Sequence, residues 1–169
     1  MSVIISNTTP INYLVLIDRI HVLGDLYGRV IIPQAVLGEL QHEGTPVQVK
    51  AWVATHPDGL EVRALSAPLD PSLAFLDEGE REAIRLAQEI QADALIIDEP
   101  AGREEAKRRG LRVIGTLRVL YDAAEAGLCD LEEAYERLRQ TTFRAHPRLF
   151  RTFLDAYLQK QQRPDAPGE

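Results

Sequence analysis

Residues 77–98 read DEGEREAIRLAQEIQADALIID, and their pattern decides the fold. Glu78 to Gln91 has helical period, with Ala83, Ile84, Leu86, Ala87 and Ile90 on one apolar stripe. Ala94 to Ile97 is then an unbroken apolar run, short enough to be a strand buried on both faces. A stripe-bearing helix that feeds such a strand belongs to an alternating pattern of strands and helices. That pattern implies a parallel sheet covered on both faces.

The same alternation extends outward in both directions. Toward the N-terminus, Val3 to Ser6 reads as a short buried strand, and Pro10 suits the first turn of a helix running to about Ile17. His21 to Tyr27 is a second short helix and Arg29 to Ile32 a strand. Pro33 starts a helix with Val36, Leu37 and Leu40 on its apolar side. Gly44-Thr45-Pro46 breaks the chain before a helix carrying Val49 and Trp52. Leu60 to Leu65 alternates as a strand, and Ser66 to Ser72, with two prolines, is a loop. Toward the C-terminus, Ala101 to Arg109 is a charged helix, Arg112 to Ile114 a strand, and Thr116 to Ala126 a helix ended by Gly127. Helices near Asp130–Gln140 and Pro147–Gln161 follow, and the tail from Arg163 to Glu169 is expected to fray. The expected organisation is one α/β unit over residues 1–130, a helical extension over 131–163 packed on it, and a frayed end over 164–169.

Composition narrows the class. A chain of 169 residues, 45% apolar and 27% charged, supports one sizeable soluble core. No apolar stretch reaches the roughly 20 residues needed to cross a bilayer, and the N-terminus lacks a secretion signal, so a cytoplasmic location is expected. A single cysteine, Cys129, excludes an internal disulfide and a cysteine zinc cluster, and the four histidines lack metal-ligand spacing. The net charge of −7 hides an asymmetry. Residues 1–99 carry 6 basic and 15 acidic side chains, whereas residues 100–163 carry 13 basic and 9 acidic ones. Arg103, Lys107 and Arg108 lie in the basic half. Each reads alone as a solvated helix face, and collectively they could contact phosphates.

Four residues stand where a parallel sheet would gather them. Asn7 follows the apolar run Val3-Ile4-Ile5, and Asp98 ends Ala94-Leu95-Ile96-Ile97. Glu39 sits in a helix, and Glu80 opens another, three and four residues before Ala83 and Ile84. In open α/β sheets, ligands bind outside the carboxyl ends of the strands. Carboxylates that meet there ordinarily hold a hard cation such as Mg²⁺ or Mn²⁺. Two of them also have plainer readings: Glu80, with Glu82, as first-turn acids favoured by the helix dipole, and Asp98 as a turn or cap before Pro100.

Taken in order, these motifs resemble a known family. Ser6-Asn7-Thr8-Thr9-Pro10, Ile32-Pro33 with Glu39-Leu40, and Gly79-Glu80-Arg81-Glu82-Ala83-Ile84 are similar to the PIN-like nuclease family DUF3368. Ala92 to Asp98 and Gly110 to Thr116 continue the match, which spans roughly residues 3–130. The resemblance implies a PIN-like three-layer α/β/α sandwich with a central, mostly parallel sheet. It implies an acidic pocket that binds Mg²⁺ or Mn²⁺ and cleaves RNA, formed here by Asn7, Glu39, Glu80 and Asp98. Asn7 takes the place of the usual first aspartate and adds no negative charge. Thr8 or Thr9 falls where a hydroxyl supports the site, and Glu82 and Glu99 are reserve acids. The resemblance further implies a homodimer and the toxin role of a type II toxin–antitoxin pair, held in check by a small antitoxin protein. Two alternatives stand beside a nuclease, the first of them motivated by Asn7. One is a PIN-fold module that binds without cleaving, and the other is a small regulatory α/β domain whose acidic pocket is incidental.

Overall fold

In the computed structural model, which describes residues 2–162, five short strands form one sheet. They are β1 (Ile4–Ser6), β2 (Val30–Pro33), β3 (Leu60–Arg63), β4 (Ala94–Ile96) and β5 (Val113–Ile114), in the order β3-β2-β1-β4-β5. Every pairing is parallel, where the sequence suggests a mostly parallel sheet. The expectation for the tail 163–169 lies outside the described residues.

Alternation within the strands splits the core into two faces, because successive side chains point to opposite sides of a sheet. Ile4, Ile32, Ile96 and Ile114 enter one apolar cluster, and Ile5, Ile31, Leu95 and Ile97 enter the other. The second face is covered by α5 (Glu78–Glu89), through Ala83, Ile84, Leu86 and Ala87, and by Ala106 of α6 (Pro100–Arg108). The first face carries the larger helical layer: α1 (Thr8–Leu16), α2 (His21–Tyr27), α3 (Gln34–Leu40), α4 (Val47–Ala54) and α7 (Thr116–Glu125). Two further helices, α8 (Leu131–Arg139) and α9 (Pro147–Gln162), join the same cluster through Leu131, Tyr135, Leu138 and Phe150. Tyr135 is fully buried, donates its hydroxyl to the Leu117 carbonyl at 2.8 Å and meets the Phe150 ring edge-on at 5.3 Å. A buried phenol needs such a partner, and this one ties the C-terminal helices to α7.

Two local differences from the sequence reading have simple causes. α1 begins at Thr8, ahead of Pro10, because a proline is tolerated throughout a first turn whose N–H groups lack partners anyway. The segment read as loop from Ser66 to Ser72 ends in a single 3₁₀ turn, Pro71–Leu73, which Asp70 caps by accepting from Ser72 N–H at 2.9 Å.

The strand order reverses at β1. One arm of the sheet grows through β2 and β3, and the other through β4 and β5. Adjacent connections therefore leave in opposite directions between the carboxyl ends of β1 and β4, opening the crevice where ligands bind in such sheets. Asn7 and Asp98 follow those two ends, and Asn7 N–H donates to the Ile96 carbonyl at 2.9 Å.

Candidate active site

Asn7 occupies the cap position of α1, with extended backbone angles. A capping Asn ordinarily accepts a hydrogen bond from an N–H in the first turn. Here the side chain makes no capping bond. The residue is 3% exposed, and its Oδ1 is buried without a hydrogen-bond partner among the described residues. An unpartnered buried amide oxygen costs on the order of 1–3 kcal/mol, a cost that any donor or cation bonded to it would remove.

Glu80 is held by the start of α5. Asp77 accepts from Glu80 N–H at 2.8 Å, and Glu80 accepts in return from Asp77 N–H at 3.3 Å, forming a capping box. The carboxylate has a structural duty, therefore, but its surroundings go beyond that duty. Glu80 is 5% exposed, and its carboxyl is pushed up to about 7 by burial, then by the charge of Asp77, with Glu99 and Glu39 adding to it.

Glu39 reaches the same region from α3. It accepts from Gly79 N–H at 3.2 Å and from the Thr8 hydroxyl. Gly79 permits this approach: a Cβ there would stand 2.7 Å from Glu39 Oε1. Glu82 lies further round α5, faces the Ala35 N–H at 3.4 Å, and is pushed up first by burial.

Asp98 is gripped from the other side. It accepts from Thr116 N–H at 2.8 Å and from the Thr116 hydroxyl at 2.6 Å, at the first turn of α7. Arg103 donates to the Ile97 carbonyl at 2.8 Å and lies beside the carboxylate. Burial pushes the Asp98 carboxyl up, while the Thr116 bonds and the Arg103 charge pull it down. Gly115 gives both groups room, since a Cβ would lie 2.9 Å from Asp98 Oδ1 and 3.1 Å from Arg103 Nη1.

Two clefts flank these residues. One, of about 660 Å³, is lined by Thr8, Glu39, Glu78 and Glu82. The other, of about 1150 Å³, is lined by Asp98, Glu99, Thr9 and a set of cations that includes Arg103 and Lys107. Asn12 and Pro46 line both, so they stand where the two meet.

The sequence reading gathers Glu39, Glu80 and Asp98 into one ligand set, and the geometry is looser. Among the described residues, no three His, Cys, Asp or Glu side chains stand at metal-holding spacing. Glu39 and Glu80 are neighbours across Gly79, whereas Asp98 turns to Thr116. The physical reason is that each acid has taken protein donors of its own, while their like charges repel. Arg108, expected to contact phosphate, is paired to Glu105 at 3.0 and 2.5 Å and does not line the basic cleft. Sequence reasoning missed Thr116, which grips Asp98, and Asn12, whose Oδ1 is also buried without a partner. A lone amide in the apolar run Ile11 to Leu16 is the signal that points to Asn12.

A family model described as DUF3368, PIN domain, matches residues 3–158. Among solved structures, the chain is similar to a PilT N-terminus domain protein from the hyperthermophilic archaeon Sulfolobus solfataricus. The two share 22% identity and a TM-score of 0.48, over 86% of this chain and 100% of that one. No curated protein matches.

Proposed function

This chain belongs to the PIN-domain family DUF3368, whose members are in general nucleases, and we propose that it is a metal-dependent endoribonuclease. The observation that carries this reading is Glu80, an acid buried at the switch point and crowded by Asp77, Glu99 and Glu39. Such a cluster is costly unless a proton is taken up or a cation sits among the oxygens. The donor set fits a hard divalent ion, because every candidate offers oxygen and Asn7 Oδ1 is buried and unpartnered.

Glu39, Glu80, Asp98 and Asn7 would hold Mg²⁺ or Mn²⁺ only by closing in around the ion, since among the described residues no three acids stand at metal-holding spacing. When bound, the ion lowers the pKa of a coordinated water and neutralises charge developing on the phosphate. The other residues orient this set. Thr116 and Arg103 fix Asp98, and Thr8 with the Gly79 N–H fixes Glu39. Thr9, Glu82 and Glu99 support from the rim, and Arg103 and Lys107 meet the phosphate chain. The setting we assign is cytoplasmic, as the homodimeric toxin of a type II pair, with a small antitoxin protein covering the acids. Among the described residues, no helix is long and apolar enough to cross a membrane.

The test is cleavage of an RNA oligonucleotide with Mg²⁺ or Mn²⁺ by the wild type, by Glu80→Gln and by Asp98→Asn. Each substitution is expected to lower the rate about 100-fold or more, and EDTA to abolish it. Activity that survives both changes and EDTA would sink the metal mechanism. Asn7 favours a second reading, a PIN-fold module that binds nucleic acid without cutting it. Calorimetric titration with Mn²⁺ separates the two, since no binding at millimolar metal belongs to the second.

A further inference from the structure

Arg109, the cap residue that ends α6, has a side chain 12% exposed and spends its guanidinium on four partners. Nε donates to Glu105 Oε1 at 2.8 Å, one turn back in the same helix. Nη1 donates to Asp70 Oδ2 at 3.1 Å and faces Gln88 Oε1 of α5 at 3.4 Å, while Nη2 donates to the Ser72 hydroxyl at 2.6 Å. One planar fork thus joins α6, α5 and the segment that leads into α5. That segment is stiff as far as Glu80. Leu73 N–H donates to the Asp70 carbonyl at 3.0 Å, and Leu76 N–H to the Leu73 carbonyl at 3.0 Å. Leu73 and Leu76 are both buried, in the cluster that Ala83 and Ile84 of α5 also enter. The next residue is Asp77, whose N–H meets Glu80 Oε2 at 3.3 Å. Turn bonds and two buried anchors therefore lead from the guanidinium to a carboxylate oxygen of the acidic site. α6 also meets α5 near its own start, where a Cβ on Gly102 would stand 3.5 Å from the Glu80 carboxyl carbon. Gly102 and Arg109 lie about 10 Å apart along the helix, so the second contact removes a rotation that the first would allow.

We propose that Arg109 is a positioning residue for Glu80. By holding the segment from Asp70 to Leu76 against α6, it fixes the Asp77 N–H that orients the Glu80 carboxylate. The affinity of the acidic site for a divalent cation then depends on a residue that lines neither cleft. This rests on the metal-dependent reading above and adds a remote determinant to it. The physical reason is preorganisation. The acids must close in to hold an ion, and a carboxylate already held in direction loses less freedom when they do. Arg109 is separable from the folding of α6, because Arg108 also donates to Glu105, at 3.0 and 2.5 Å, and keeps that buried carboxylate paired.

The experiment has two readouts, calorimetric titration with Mn²⁺ and site-resolved amide hydrogen exchange in EDTA, both well below the lowest melting temperature. The proteins are the wild type, Arg109→Met, and a double variant carrying Asp70→Asn and Ser72→Ala. The double variant loosens the clasp from the other side and leaves both arginines on Glu105. Leu138→Ala, buried in the opposite core cluster, is a control that lowers stability without touching the clasp. Both clasp variants are expected to bind Mn²⁺ about 3- to 30-fold more weakly than the wild type. Exchange at Leu73, Leu76 and Asp77 should rise about tenfold relative to the amides of α7. Leu138→Ala should bind Mn²⁺ as the wild type does. Folded clasp variants that bind within about 2-fold of the wild type overturn the proposal, and so does an equal loss in Leu138→Ala. If Arg109→Met does not fold, the double variant decides alone. A wild type that binds no Mn²⁺ removes the metal-dependent reading, and exchange then decides the positioning by itself. Faster exchange at Asp77 in the clasp variants retains it, and unchanged exchange there overturns it.

Discussion

Asn7 and Glu80 set the chemistry at the scale of the residue, and their charges make opposite demands. Asn7 brings a buried oxygen without a charge, so Asn7→Asp should tighten Mn²⁺ binding by about tenfold and raise the cleavage rate. Calorimetry and the RNA assay check both, and an unchanged affinity would separate this position from the metal. Glu80 has a titration that stability can report. Its folded pKa lies near 7, above its ordinary value of 4.5. Folding therefore gains from the neutral acid below about pH 4.5, and that gain is lost as pH rises through about 7. In EDTA, Glu80→Gln should become more stable relative to the wild type between about pH 5 and pH 8, by on the order of 1–3 kcal/mol. Urea unfolding at the two pH values measures this, and a constant difference between the proteins would refute it. Glu82 and Asp98 are pushed in the same direction but are common to both proteins, so they cancel.

The start of α5 does two jobs at the scale of the element. Its capping box satisfies the N–H groups of Asp77 and Glu80, and Gly79 leaves the space that Glu39 fills. Gly79→Ala tests the separation of these jobs. An alanine inside a helix gains up to about 1 kcal/mol over glycine, yet its Cβ must displace the Glu39 carboxylate. The expected outcome is a melting temperature within a few degrees of the wild type together with at least a tenfold loss of cleavage. A variant that cleaves normally would show that Glu39 is not needed where it stands. Asp77→Ala, by contrast, should lower stability by about 0.5–2 kcal/mol through the lost cap.

The whole molecule is built around one sheet, and the C-terminal helices are part of that packing. Phe150 is 4% exposed and meets Tyr135 and Phe143 edge-on. Phe150→Ala should cost about 3–5 kcal/mol, as for other buried aromatics, in equilibrium unfolding. A loss below about 1 kcal/mol would mean that α9 is dispensable to the core.

Most of this architecture was legible beforehand because it depends on local periodicity. The stripe from Ala83 to Ile90 and the apolar runs at Ile4-Ile5, Ile31-Ile32 and Leu95 to Ile97 state which faces are buried, and they imply parallel strands between helical layers. The resemblance to the PIN family likewise follows from short motifs in order. Side-chain partnerships are different, because they join residues far apart in the chain. No spacing in the sequence tells that Arg109, at the end of α6, pairs with Asp70, or that Asp98 turns to Thr116. The sequence by itself determined the layers, the strand ends and the acidic candidates, since burial of apolar surface selects them. Only the tertiary structure decided which partners Asp98 and Glu39 take and which residues face the clefts, because that depends on distances between separate elements.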